Sequence, residues 1–289
     1  MEYLFHLFII SGIFVILALS LNLIIGYLGQ PALGHAAFFA LGAYSSSLLA
    51  LNLGISPWIG LFIGAAFAAI SGLVIGYLTF HLNEDYFALA TFGFGLLIYY
   101  LIKNWVDVTR GPMGLTNIPQ FLTFSSNLES LIFYCVLIVF FILLTIGVMK
   151  RIVYSPLGRV VQSIRDDEIA AESLGKDTRQ IKITIFMIGA FFAGIAGSLY
   201  AHYVTYIDPS SFTVMESILI VLMVILGGLG TIEGSIIGAA ILILFPELLR
   251  FIGIPSAIAA PLRQMIYGLM LIILIIKRPQ GLVGKYKLW

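Results

Sequence analysis

Apolar residues run along this chain in blocks of about twenty, divided by short polar punctuation, and that is the length a bilayer-crossing helix needs. The pattern predicts an all-α polytopic membrane protein of about nine spans, within a range of eight to ten. They are residues 3–27, 31–51, 57–80, 86–104, 129–149, 183–205, 213–230, 235–252 and 263–277. The second block carries Gln30, Pro31, Gly34, His35, Gly42 and a Ser45-Ser46-Ser47 run, so a broken or re-entrant segment competes there with a crossing helix. Gly60, Gly64, Gly72 and Gly76 in the third span, and Gly189, Gly194 and Gly197 in the sixth, are spaced to let helix backbones approach closely. Two glycine-rich interruptions, at 26–30 and 227–235, are expected on the same side of the membrane. Breaks of this kind point toward a translocation path between related halves, although no repeat is read from them.

One long polar stretch stands out against the apolar blocks. Residues 150–182 hold 12 of the 29 charged residues. Ser155-Pro156 reads as an N-cap followed by a first-turn proline, and Gly175 as the left-handed residue that ends a helix. Between them Leu157, Val160, Val161, Ile164, Ile169 and Leu174 form an apolar stripe at helical spacing. The spacing predicts one amphipathic helix over 156–174, with Asp177-Thr178 capping the next span. Three roles compete: a helix lying in the lipid interface, a solvated loop, or a docking helix for a partner. The acidic run Asp166-Asp167-Glu168 argues against the first, because anionic headgroups repel it.

Composition agrees with lipid as the solvent. The chain is 61% hydrophobic and 10% charged with mean hydropathy +1.08, whereas soluble domains carry about 25% charge. A net charge of +1 without a basic cluster excludes a nucleic-acid binder. The lone Cys135 offers neither an intrachain disulfide nor metal-ligand spacing. Met1-Glu2-Tyr3 lacks a basic n-region, so the first block is expected to be a retained span. Seven of the fifteen Lys and Arg residues fall in 150–182. Lys277, Arg278, Lys285 and Lys287 share that side if there are nine spans. The positive-inside rule then places 150–182 and the C-terminus in the cytoplasm, and the turn-rich 105–128 loop outside as a cap or plain connection.

The polar stretch from Gly158 to Gly175 resembles the coupling segment of permease subunits of branched-chain amino acid ABC transporters. Asn22 to Gln30, Leu33-Gly34-His35-Ala36-Ala37-Phe38-Phe39 and Gly42-Ala43-Tyr44 resemble the family's first motif. Tyr86 to Thr91, Gly111-Pro112-Met113-Gly114-Leu115 and Arg278 to Leu282 are similar to its M-type subunit. Pro31-Ala32 departs from the pattern, where a small polar pair is expected. The resemblance implies a single permease domain over 1–289 in a prokaryotic cell membrane. It further implies a second, H-type permease, two cytoplasmic ATPases and an extracytoplasmic binding protein. The chain has no phosphate-binding Gly-x-x-x-x-Gly-Lys-[Ser/Thr] loop, so ATP and Mg are expected on the ATPases, with no cofactor in this chain. Arg159, Arg165, Asp166, Glu168, Ala171 and Gly175 are the ATPase-coupling residues so implied.

A zwitterion with a greasy tail needs polar partners inside the membrane, and polar residues there are functional suspects. Asn22, Gln30, His35, His202 and Glu216 are the candidate path residues. The scarcity of carboxylates at span centres weighs against an ion-coupled secondary transporter. The absence of metal or triad spacing weighs against a membrane enzyme. The substrate is left among branched-chain amino acids, other amino acids, urea and short amides.

Overall fold

The computed structural model describes residues 2–123, 126–251, 265–266, 268–270, 272, 276 and 280–284. Apolar blocks become helices because inside a bilayer every backbone N–H and C=O must be satisfied within the chain. The elements are α1 (Glu2–Asn22), α2 (His35–Leu53), α3 (Pro57–Thr79), α4 (Glu84–Asn104) and the short α5 (Val106–Thr109). They continue with α6 (Asn127–Val153), α7 (Pro156–Asp166), α8 (Glu168–Ser173), α9 (Thr178–Val204), α10 (Val214–Gly227) and α11 (Ile232–Phe251). A wider π-type turn, Leu23–Tyr27, extends α1. Among the described residues six helices are long and apolar enough to cross a membrane: α1 with its extension, α2, α3, α4, α6 and α9. α10 and α11 are shorter apolar helices where the pattern predicts spans seven and eight. Most of the expected ninth span, 263–277, lies outside the described residues, as do the four C-terminal basic residues.

Helices α1, α2 and α9 form the buried centre, and α3, α4, α6, α10 and α11 surround them. Glycine sets how closely the central helices meet. A Cβ on Gly42 of α2 would lie 2.2 Å from the Gly194 carbonyl oxygen of α9, and one on Gly197 would lie 2.0 Å from the Phe39 carbonyl oxygen. Gly64 of α3 faces the Gly42 carbonyl and the Ser198 hydroxyl at the same level. The glycines of the third and sixth spans thus serve helix packing, as their spacing predicts.

The irregularity of the second block is confined to its start: residues 31–34 are not helical, and α2 then runs unbroken from His35 to Leu53. The irregular stretch as a whole covers residues 28–34. This lead-in rises into the bundle, so that His35 begins α2 beside Ser20 of α1, with Ser20 Oγ and His35 Nε2 2.8 Å apart. Leu28 N and Gln30 N bond back to the Leu23 and Ile24 carbonyls at 3.3 and 3.1 Å, and further on hydroxyls of other helices take over, into the first turn of α2. Leu33 N donates to Thr91 Oγ1 at 3.0 Å, and Ala36 N donates to Ser217 Oγ at 2.9 Å. Non-helical backbone survives at this depth because protein surrounds it.

The expected single helix over 156–174 is two helices. Its start and end agree with the pattern: Ser155 Oγ accepts from Gly158 N, Pro156 opens α7, and Gly175 takes φ +75°. The break is at Asp167, whose backbone is extended (φ −160°, ψ 103°) and whose carboxylate accepts from Ala170 N at 3.0 Å. An aspartate that can cap a new first turn competes with helix continuation, and here the cap wins. Asp177 caps α9 in the same way, accepting from Gln180 N at 3.0 Å.

Candidate functional site

The two glycine breaks meet. A Cβ on Gly26 would stand 2.4 Å from Gly230 N, so the chain permits only glycine there. Asn22, fully buried, joins the breaks. Its Nδ2 donates to the Thr231 carbonyl at 2.8 Å and its Oδ1 accepts from Gly230 N at 3.0 Å. Both ends of the amide are therefore committed to structure, and among the candidate path residues Asn22 is a clamp between breaks.

The charged segment is tied to the same junction. Arg165 of α7 runs over Gly29 and donates from Nη1 to the Gly26 carbonyl at 3.0 Å, while Nη2 pairs with Asp166 at 2.8 Å. Glu168 of α8 pairs with Lys182 of α9 at 2.5 Å, and the lysine side chain is only 5% exposed. Thr178 donates to Glu172 at 2.7 Å. Ala171, Val161 and Ile164 are buried against the bundle. The apolar stripe thus divides. Its buried part anchors the segment, while Ile169 (77% exposed), Leu174 (79%) and neighbouring Tyr154 (80%) present apolar surface at the charged end. Arg159, Asp166 and Gly175 are exposed on the same segment. Of the six residues singled out for coupling, Arg165, Glu168 and Ala171 face the chain itself.

A cavity of about 420 Å³ opens beside this segment, lined by Gln30, His81, Asn83, Glu84, Glu168, Glu172 and Lys182 among others. From Gln30 a line of polar groups follows the 28–34 lead-in inward through Thr91, His35, Ser20 and Ser217 to Glu216 in the first turn of α10. Three candidate path residues, Gln30, His35 and Glu216, lie along that line. Thr91, Ser20 and Ser217 were missed, because a hydroxyl in an apolar helix carries no sequence signal of its own. Lys182 reads in the sequence as the end of the polar stretch, whereas the helix that holds it begins at Thr178 and buries it.

His202 lies elsewhere. It is fully buried, with Nε2 2.7 Å from Ser46 Oγ and Nδ1 2.6 Å from the Pro119 carbonyl oxygen. Tyr134 donates to the His202 carbonyl at 2.7 Å. The histidine thereby pins the 105–123 loop to the end of α9 opposite the charged segment. That loop also pairs antiparallel with the chain after α9: Leu115 N donates to Ile207 O at 2.8 Å, and Ile207 N to Leu115 O at 3.1 Å. It is a fixed cap on the far end, more than a plain connection. Among the described residues no group of His, Cys, Asp and Glu is arranged to hold a metal ion.

Comparison with known proteins places this architecture in context. The family described as branched-chain amino acid transport system / permease component matches residues 3–275. The chain is 35% identical to the high-affinity branched-chain amino acid transport system permease protein LivM of Escherichia coli (strain K12), over 95% of this chain and 68% of that protein. It is 26% identical to the probable permease LivM of Methanocaldococcus jannaschii, over 94% of this chain and 90% of that one. Identity to the permease LivH of Salmonella typhimurium is 22%, over 96% and 92%. No solved structure matches.

Proposed function

This chain belongs to the branched-chain amino acid transport permease family, and on that premise we propose that it is the M-type permease subunit of an ABC importer for leucine, isoleucine and valine. The higher identity to LivM than to LivH supports the M-type assignment and an H-type permease as its partner. ATP and its metal are held by two cytoplasmic ATPases, and an extracytoplasmic binding protein delivers the substrate. The whole chain acts as one transmembrane domain. The segment 150–182 and the C-terminus face the cytoplasm, and the far-end cap faces outward.

The observation that carries this reading past the family match is the build of the charged segment. It is rigidly fixed to the bundle by Arg165, Glu168 and Ala171, yet offers Tyr154, Ile169 and Leu174 outward. A solvated loop needs no such exposed apolar trio, whereas a groove on an ATPase would bury it. Arg159, Asp166 and Gly175 flank the trio and set charge and turn geometry there. Force applied to α7 and α8 reaches the Gly26–Gly230 junction through Arg165 and crosses it through Asn22. The path itself follows the polar line from Glu216 past His35 to Gln30.

Reconstitution tests the reading. The chain, its H-type partner and the ATPases in proteoliposomes, with binding protein and ATP, should accumulate labelled leucine without an ion gradient. Uptake that requires an ion gradient and ignores ATP would refute it.

A further inference from the structure

Glu216 lies in the first turn of α10, next to Ser217, whose hydroxyl accepts from Ala36 in the first turn of α2 at 2.9 Å. Glu216 is half-buried, with its Oε2 buried, at the level where α2 and α10 both begin. The segment before α10 brings aromatic rings to this level. The Phe212 ring centre lies 5.0 Å from that of Phe39, 5.7 Å from Tyr44 and 6.1 Å from Tyr200. Phe212, in the short turn Pro209–Phe212, and Glu216, in the first turn of α10, flank the start of that helix. Asp208 is occupied by the hydroxyls of Ser210 and Ser211, which both donate to it.

Four buried side-chain atoms lack a partner among the described residues: Ser11 Oγ, His35 Nδ1 in the first turn of α2, Tyr44 Oη and Glu216 Oε2. Tyr44 is only 3% exposed. The ion pairs among the described residues are Arg165–Asp166 and Lys182–Glu168, so none of their cations answers Glu216. A carboxylate inside a membrane needs a cation or donors. The N-terminal dipole of α10 favours a negative charge there. Aromatic faces beside a carboxylate suit an alkylammonium head with an apolar tail.

We propose that Glu216, with the Tyr44 hydroxyl and the rings of Phe39, Tyr200 and Phe212, is the site that receives the ammonium group of the amino acid as it enters the path. This deepens the permease reading and rests on it. Glu216 binds the charge, Tyr44 adds an acceptor oxygen, and the rings take the aliphatic tail. The site lies between the far-end cap and the polar line that leads to Gln30, so the substrate would meet it before the lead-in of α2.

The probe is isopentylammonium, which has the tail and ammonium of leucine but no carboxylate; 4-methylpentanoate, which has only the carboxylate, is the control. In the reconstituted complex, isopentylammonium should inhibit leucine uptake and stabilise the permease pair against heat, and 4-methylpentanoate should do neither. Glu216→Gln keeps the shape and should lower uptake and probe affinity roughly ten- to hundredfold, the worth of a charge-assisted hydrogen bond. Glu216→Asp should keep part of both, and Tyr44→Phe should lose several-fold while folding normally. Equal probe stabilisation of wild type and Glu216→Gln would overturn the site, as would full leucine uptake by that variant. If the wild-type complex moves a different solute and no branched-chain amino acid, the permease reading fails by itself. The thermal shift with isopentylammonium then still decides the site.

Discussion

Asn22 and Thr231 lie 209 residues apart in sequence, yet the Asn22 amide donates to the Thr231 carbonyl at 2.8 Å while its oxygen accepts from Gly230 N. Asn22→Ala takes the acceptor from Gly230 N, at a cost of about 1–3 kcal/mol, while the Thr231 carbonyl keeps Ser235 N and Ser235 Oγ as donors. The expected result is a lower melting temperature of the purified permease pair and, in the full complex, more ATP hydrolysed per leucine moved. A structural role alone would lower hydrolysis and uptake in parallel. An unchanged ratio would show that force does not cross at Asn22.

The charged segment separates stability from docking. Ile169→Asp and Leu174→Asp change exposed side chains, so melting should hold within about 0.5 kcal/mol while ATPase co-purification falls. Glu168→Lys acts differently, because it sets a second cation against the nearly buried Lys182. It should weaken folding as well as coupling, and the charge swap Glu168→Lys with Lys182→Glu should recover part of both. Normal ATPase capture by the Ile169 and Leu174 variants would remove the apolar trio from the interface.

Gly194→Leu would drive a side chain into Ala65 and Ala68 of α3, where a Cβ alone already comes within 2.7 Å of the Ala68 methyl. Overpacking of this kind costs about 1–3 kcal/mol or more. Expression in the membrane should drop sharply. The same change at Gly147, where a Cβ meets nothing within 4 Å, should be tolerated and serves as the control.

Ser217→Ala deprives Ala36 N of its acceptor at the start of α2. With lipid outside and no spare acceptor, a loss of about 1–3 kcal/mol is expected. Hydrogen exchange should show the first turn of α2 opening more often. Protection equal to wild type would mean another group satisfies Ala36.

Much of this was legible in the sequence because hydropathy and local capping are local properties. Ser155-Pro156, Gly175 and Asp177 mark helix ends through groups within a few residues, and each acts as predicted. The break at Asp167 was not read, although its capping chemistry is equally local, because the apolar stripe on either side suggested one continuous helix. The roles of Asn22 and His202 were out of reach for a different reason. Their partners, Thr231 and Pro119, are set by tertiary packing, and a buried amide or imidazole reads alike whether it clamps backbone or meets a solute. Gln30 lies in the lead-in, His35 opens α2 and Glu216 lies in the first turn of α10, three places that only tertiary packing brings together.

α10 has 14 residues and so rises about 21 Å, against a hydrocarbon thickness of about 30 Å. The shortfall is made up by the segment that enters from the far end, which includes a short 3-10 turn, Pro209–Phe212. Mismatch between protein and bilayer is relieved by tilting or by local thinning of the lipid, at a fraction of a kcal/mol per Å. Host lipids with longer acyl chains would strain this corner of the molecule first. Acyl-chain length is thus a mechanical load on α10 and on the segment that leads into it.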